Sequence, residues 1–344
     1  MLMQQETIGF VGTYTRETSE GIYRFTLDYV EETLKNVQVA AKVGSPTYLS
    51  IAEKHLYAVA QNGEQGGIAA YELTKETGGL RYLNRKLADG APPCHVTTVG
   101  ENILTANYHK GTVHLYKKNG SGSIQKEASV VEHEGSGPHE RQEKPHVHYA
   151  AYTPDGKYVL AADLGTDELV TYAVEQDKLV HVSTLQVKPG SGPRHITFHP
   201  KEKIAYLLTE LSSEIIVLDY NSDEGTFAEL QTIKAIPEDF GEINDASAIH
   251  VSKDGKFLYT GNRGHNSIAL FAINENGTLT FVEHTSTEGK WPRDFAIDPT
   301  EKFIVVANQH SNNLVLFKRD EETGKLSYTG SEVTVPEGVC VKFP

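Results

Sequence analysis

The chain has 344 residues, a formal net charge of −14 at pH 7 and two cysteines, Cys94 and Cys340. It has no run of about 18 or more apolar residues and no basic stretch leading into an apolar core, so neither a membrane span nor an export signal is expected, and the chain reads as soluble and cytoplasmic. The acidic balance excludes a nucleic-acid backbone as partner, because that needs a basic stripe. An anionic small molecule would be repelled at long range and held only where arginines gather locally. The two cysteines are too few for a disulfide framework and lack C-x-x-C spacing; they read as reduced thiols in apolar strands.

In chain order, the first element is an apolar strand over residues 8–13, followed by a second over 21–25 that closes on Phe25. Equivalents of this second element recur over 68–71, 113–116, 169–172, 215–218, 268–271 and 314–317, making seven copies. Before most copies stands a hairpin of an incoming and an outgoing strand. The clearest runs from 148 to 163 around the turn Pro154-Asp155-Gly156-Lys157, and the grammar returns at 194–208, 248–259 and 295–306. Short β-branched and aromatic runs between Asp-Gly or Pro turns are strands and hairpins. A Gly-rich turn and a fourth strand usually follow, as at Gly277-Thr278-Leu279 and Gly324-Lys325-Leu326.

Four strands per unit, repeated about every 50 residues, predict propeller blades, since a lone blade cannot bury both faces. The fold class is therefore all-β, a seven-bladed β-propeller of four-stranded antiparallel blades, with residues 1–344 as one domain. The chain begins in an outgoing strand and stops after an incoming one at 339–343, so the C-terminal strand is expected to complete the N-terminal blade and close the ring.

In an antiparallel hairpin the first residue of the incoming strand lies beside the last of the outgoing strand. Counting from the turns gives His148, Arg194, Ser247 and Arg293 on incoming strands, opposite Leu164, Glu210, Arg263 and Gln309 on outgoing ones. Repeat-equivalent positions share a height around the ring, so His148, Arg194, Glu210, Arg263, Arg293 and Gln309 are expected to converge on one mouth of the central channel. The polar residues one step earlier, including Asp163 and Asn262, are expected to stand behind them as further substrate-binding groups, together with His146. His195 and His250 are expected on blade faces. His146 and His148 with Glu210 would be the only metal set on offer, and Arg194 beside them opposes a dication; no metal and no cofactor are expected. The long connections at 133–144 and 236–245 precede incoming strands and are candidate walls of the site.

The segments Pro145-His146-Val147-His148, Gly192-Pro193-Arg194-His195 with Thr209-Glu210-Leu211, Asn262-Arg263, and Trp291-Pro292-Arg293 with Asn308-Gln309 resemble the seven-bladed lactonase family. That family includes bacterial propeller-type 6-phosphogluconolactonases and fungal carboxy-muconate lactonizing enzymes, and the resemblance covers essentially the whole chain. It implies a catalytic set of His148, Arg194, Glu210 and Arg263. Two positions depart from the pattern: Asp294 follows Arg293 where bacterial members often have glycine, and Asn262 precedes Arg263 where aspartate is common.

The implied reaction is hydrolysis of a sugar lactone, with 6-phosphogluconolactone of the pentose phosphate pathway the foremost substrate. It requires a base for the attacking water and positive charge at the developing oxyanion. Glu210 or His148 would be the base and Arg194 or Arg263 the oxyanion partner, while Arg293 and the remaining arginine would hold a phosphate. No serine or cysteine stands in a nucleophile elbow, which favours direct attack by water. The rivals are a cycloisomerase of the muconate-lactonizing type and a non-enzymatic binding platform. The expected partner is a small anionic sugar lactone, and the expected assembly a monomer or weak homodimer.

Overall fold

The computed structural model describes residues 5–344. Its secondary structure consists of twenty-eight strands in seven four-stranded antiparallel sheets, with no helix among the described residues. Six sheets are built from consecutive strands: blade 2 from Leu49–Ala52 to Gly79–Asp89, blade 3 from His95–Val99 to Ile124–Glu132, and blade 4 from Val147–Tyr152 to Lys178–Gln186. Blade 5 runs from Pro193–Phe198 to Thr226–Lys234, blade 6 from Asp245–Val251 to Leu279–Ser286, and blade 7 from Pro292–Ile297 to Leu326–Thr334. Blade 1 is composite: Gly338–Lys342 from the C-terminus lies innermost, beside Glu6–Thr13, Gly21–Asp28 and Thr33–Lys42. The seven blades and the expected closure are thus observed.

The apolar residues form seven clusters, each shared by two adjacent blades. Tyr206 and Val217 of blade 5 meet Leu258 and Phe271 of blade 6. Val11 and Phe25 of blade 1 meet Val305 and Leu316 of blade 7. Each fully buried Leu, Val or Phe contributes about 1.5–3 kcal/mol by leaving water, so every blade depends on both neighbours.

Polar ties repeat with the blades. Second-strand tyrosines reach the next blade's outer turn: the hydroxyls of Tyr57, Tyr206 and Tyr259 donate to the carbonyls of Gly122, Gly277 and Gly324 at 2.8, 3.0 and 2.7 Å. At Gly324, φ is +72° and an added Cβ would lie 2.5 Å from the Phe257 ring, so both conformation and space require glycine. At the other end of the corresponding strands of blades 3, 6 and 7, Asn107, Asn262 and Asn308 donate to the carbonyls of Ala91, Ala235 and Thr287 in the connection from the preceding blade.

The innermost strands carry a bulge at one recurring height. Pairing shifts between Val147 and Tyr149, between Pro193 and His195, between Ala246 and Ile249, and between Pro292 and Asp294. Pro193 therefore lies opposite Thr209, and Pro292 opposite Asn308. His148, Arg194 and Arg293 fall inside the bulges without a strand partner. This corrects the pairing counted from the turns, which opposed Arg194 to Glu210 and Arg293 to Gln309. A bulge re-aims its extra residue, and here it does so at one end of the channel.

Candidate functional site

A cavity of about 780 Å³ opens at that end, lined by His148, Glu210, Arg263 and Arg293 together with Tyr14, Arg16, Cys94, Tyr108 and Arg141 among others. Arg194 lies just beneath, on a smaller space that His148 and Arg293 also border. Four arginines and a single carboxylate line the larger cavity, so a local cationic field sits in a chain of net charge −14.

Glu210 is the hub. Its Oε2 accepts from Arg194 Nε at 2.8 Å and lies 2.9 Å from Arg263 Nη2. Its Oε1 accepts from Arg141, which also reaches Asp245 at 2.9 Å through its other terminal nitrogen. Burial opposes the carboxylate's charge, but Arg263, Arg194 and Arg141 together hold the group well below the usual carboxylate range. A carboxylate so held is a weak base.

The two buried arginines are braced by backbone. Arg194 donates to the Ser247 carbonyl through Nη1, and that nitrogen also lies 3.2 Å from His195 Nε2. Arg263 donates to the carbonyls of Asp245 and Ala246 at 3.2 and 2.8 Å. Burial pushes Arg263 down to about 10, partly offset by Glu210. Arg194 Nη2 and Arg263 Nη1 are the guanidinium nitrogens without a protein acceptor among the described residues.

His148 is 5 % exposed, and its Nε2 lies 3.9 Å from Glu210 Oε2, beyond hydrogen-bond range. Its Nδ1 is sealed without a partner. Burial, then Arg194, holds the imidazole well below its ordinary value, so it is neutral near pH 7. Beneath it the channel is packed with rings: His195 lies 5.3 Å from His148 and 5.4 Å from His95, and Tyr48 lies 4.3 Å from His95. His195 is therefore a channel residue rather than a blade-face one. His250 is half-buried with its Nε2 sealed, 3.7 Å from Asp294.

The remaining expected site residues divide. Arg293 lines the cavity as expected. Gln309 does not; its backbone NH bonds Trp291 O, and its Oε1 is buried without a partner. His146 stacks on Tyr108 at 4.2 Å and directs Nδ1 to the Tyr108 carbonyl and Nε2 to Glu143, away from His148 and Glu210. Asp163 has no exposed surface, and its oxygens are occupied by the His133 ring and the backbone NH groups of His146 and Gly165. Asn262 is equally sealed and serves as the inter-blade tie described above. None of these four lines the cavity: Asp163 and Asn262 turn to the connection from the preceding blade, and His146 turns to Tyr108 and Glu143.

Cys94 lines the cavity instead of an apolar strand, its thiol pushed up to about 12 chiefly by burial. Such a thiol is a poor nucleophile. Two lining residues escaped the sequence reading in this role, Arg141 and Arg16, whereas the hairpin register counted from the sequence sets Tyr108 opposite Cys94 at this end. Arg141 stands in the 133–144 connection, so that connection does form a wall; the 236–245 connection contributes Asp245, whose carboxylate pairs with Arg141 and whose carbonyl accepts from Arg263.

The sequence model described as "Lactonase, 7-bladed beta-propeller" matches residues 8–343. The chain is 52 % identical over 341 residues to the 6-phosphogluconolactonase of Bacillus subtilis strain 168, covering 98 % of each. Among solved structures, a Lactobacillus plantarum protein superposes with a TM-score of 0.95 at 42 % identity, over 98 % of this chain and 99 % of that one. The periplasmic gluconolactonase of Pseudomonas aeruginosa does so with a TM-score of 0.93 at 33 % identity, over 98 % and 99 %. Sequence, ring architecture and cationic cavity agree: the chain belongs to the seven-bladed β-propeller lactonase family.

Proposed function

We propose that the protein hydrolyses 6-phosphogluconolactone to 6-phosphogluconate by direct attack of water. The observation that carries this reading is the pairing of a neutral, cavity-facing histidine with a carboxylate that three arginines hold ionised. In this reading His148 is the base, since Glu210 is too strongly stabilised as an anion to take a proton near pH 7. His148 Nε2 takes a proton from the attacking water, Glu210 at 3.9 Å offsets the imidazolium charge that develops, and the imidazolium returns that proton to the ring oxygen as the tetrahedral intermediate collapses and the lactone's acyl C–O bond breaks. Arg194 Nη2 and Arg263 Nη1 donate to the carbonyl oxygen as it becomes an oxyanion. Glu210 thus acts as a positioning residue, fixing both guanidiniums.

The similarity to the B. subtilis enzyme supports the phosphorylated lactone, and the cation-rich lining suits an anionic substrate. The test is to mix the protein with freshly generated 6-phosphogluconolactone and follow product, subtracting spontaneous hydrolysis. Strong acceleration is expected, with kcat reduced about 10²–10⁴-fold in His148→Gln. No acceleration by the wild type would overturn the reading; full activity of His148→Gln would remove histidine as the base.

A further inference from the structure

Arg194, Arg263 and Arg141 are all engaged by Glu210. Two cavity arginines are not. Arg293, inside the bulge of blade 7, and Arg16, in the connection between the first two strands of blade 1, have no carboxylate within 4.0 Å among the described residues. Both guanidiniums lie over one ring, that of Tyr14, at 4.0 Å for Arg16 and 5.5 Å for Arg293.

The position of Arg16 is built by the ring closure. Glu337, 7 % exposed and just before the C-terminal strand, spends its carboxylate on the backbone: Oε1 accepts from Arg16 N at 3.1 Å and Oε2 from Glu17 N at 3.0 Å. Its carbonyl accepts from Tyr14 N at 3.1 Å, and its own NH is fixed by Asn312 Oδ1 at 2.7 Å. From the other side, Thr15 Oγ1 accepts from Ser45 N at 3.1 Å. The nearby buried carboxylate therefore fixes the backbone under Arg16 and leaves the guanidinium uncompensated. Two uncompensated, aromatic-supported guanidiniums at one wall suit a doubly charged oxyanion, for which planar forks give paired hydrogen bonds.

We infer that Arg16 and Arg293, held on Tyr14, form a clamp for the phosphate of the substrate and set the preference for a phosphorylated over an unphosphorylated lactone. This rests on the lactonase reading above. Arg16 stands on blade 1, away in the ring from blades 5 and 6 that carry Glu210, Arg194 and Arg263, while Arg293 also borders the smaller space shared with Arg194 and His148, so the clamp holds the phosphate while His148 addresses the ester. It assigns Arg16, which lies outside the segments that carry the family resemblance, as a specificity-determining residue.

The experiment compares kcat/KM for 6-phosphogluconolactone and unphosphorylated glucono-δ-lactone in wild type, Arg16→Gln and Arg16→Lys, with inorganic phosphate as a competitive probe and circular dichroism as the folding check. A charge-assisted contact of this kind corresponds to roughly 10–100-fold. The expected result is a preference ratio that falls by about that factor in Arg16→Gln, recovers partly in Arg16→Lys, and is accompanied by a weaker inhibition constant for phosphate. A wild type that prefers the phosphorylated lactone and an Arg16→Gln variant with the same ratio would overturn the clamp and leave the lactonase reading standing. A wild type that hydrolyses both lactones equally well would also overturn the clamp. A wild type that accelerates neither would remove the reading on which it rests.

Discussion

Two buried carboxylates in the central channel, Glu210 and Asp294, are surrounded by cations and do opposite things. Asp294 accepts from the backbone NH of Val341 at 2.9 Å and pairs with Lys342 at 3.7 Å, both on the C-terminal strand, with His250 at 3.7 Å on the other side. It is held at about 2, its burial outweighed by Lys342 and His250. All its partners are framework, and they join blade 7 to the closing strand of blade 1. Glu210 has equally strong partners, but those partners also face a cavity. A buried ion cluster becomes a site when its cations keep donors for something that is not protein.

The widest separation between the two clusters should come from Glu210→Ala and Asp294→Ala. Breaking a buried pair by removing one partner costs about 3–5 kcal/mol, so both variants should lose stability in chemical denaturation. Only Glu210→Ala should also lose turnover per folded molecule, by roughly 10³-fold through collapse of the oxyanion donors. Equal losses of turnover in both would erase the distinction.

Acidification sharpens the same contrast more gently. His95, His148 and His195 are each held well below 6.5, mainly by burial. Below about 6.5 the unfolded chain takes up protons that the folded chain refuses, so the stability these groups contribute is full above that pH and lost as pH falls. The decline is about 1.4 kcal/mol per pH unit for each histidine, and it should be shallower in His195→Gln. Asp294, already ionised down to about 2, contributes nothing to the slope between pH 5 and 7. Denaturation midpoints across that range measure it, and a stability that rises on acidification would contradict the buried neutral ring stack.

The smallest effect is expected at Arg141, which is 34 % exposed along its side chain. Its removal in Arg141→Ala leaves Glu210 paired with Arg194 and Arg263 and opens one wall. A rise in KM of about three- to tenfold with little change in kcat would fit loss of binding shared by ground and transition states.

The blade count, the closure and three of the cavity's charged residues, Glu210, Arg263 and Arg293, could be read from the chain, because the apolar repeat fixes where each hairpin ends. The bulges could not: one extra residue at His148, Arg194 and Arg293 leaves the apolar pattern unchanged while shifting every pairing beyond it. Asp163 and Asn262 misled for a related reason. Polar residues recur at that height in most blades, and recurrence marks a job done by every blade, here binding the preceding connection, whereas Glu210 and Arg263 differ from their counterparts. Arg141 and Arg16 stand in connections outside the repeat, where no periodicity reports which way a side chain faces.

The composite first blade also sets an order of events. His148, Arg194, Glu210 and Arg263 come from blades 4 to 6, neighbours along the chain, and can assemble from local hairpins. The Arg16 connection is held by Glu337, 321 residues away, a contact whose entropy of closure delays it relative to local pairing. A chain caught before the ring shuts would own the proposed hydrolytic cluster and lack the proposed grip on phosphate. Selectivity for the substrate would then be the last property acquired during folding and the first surrendered when the C-terminal strand peels away.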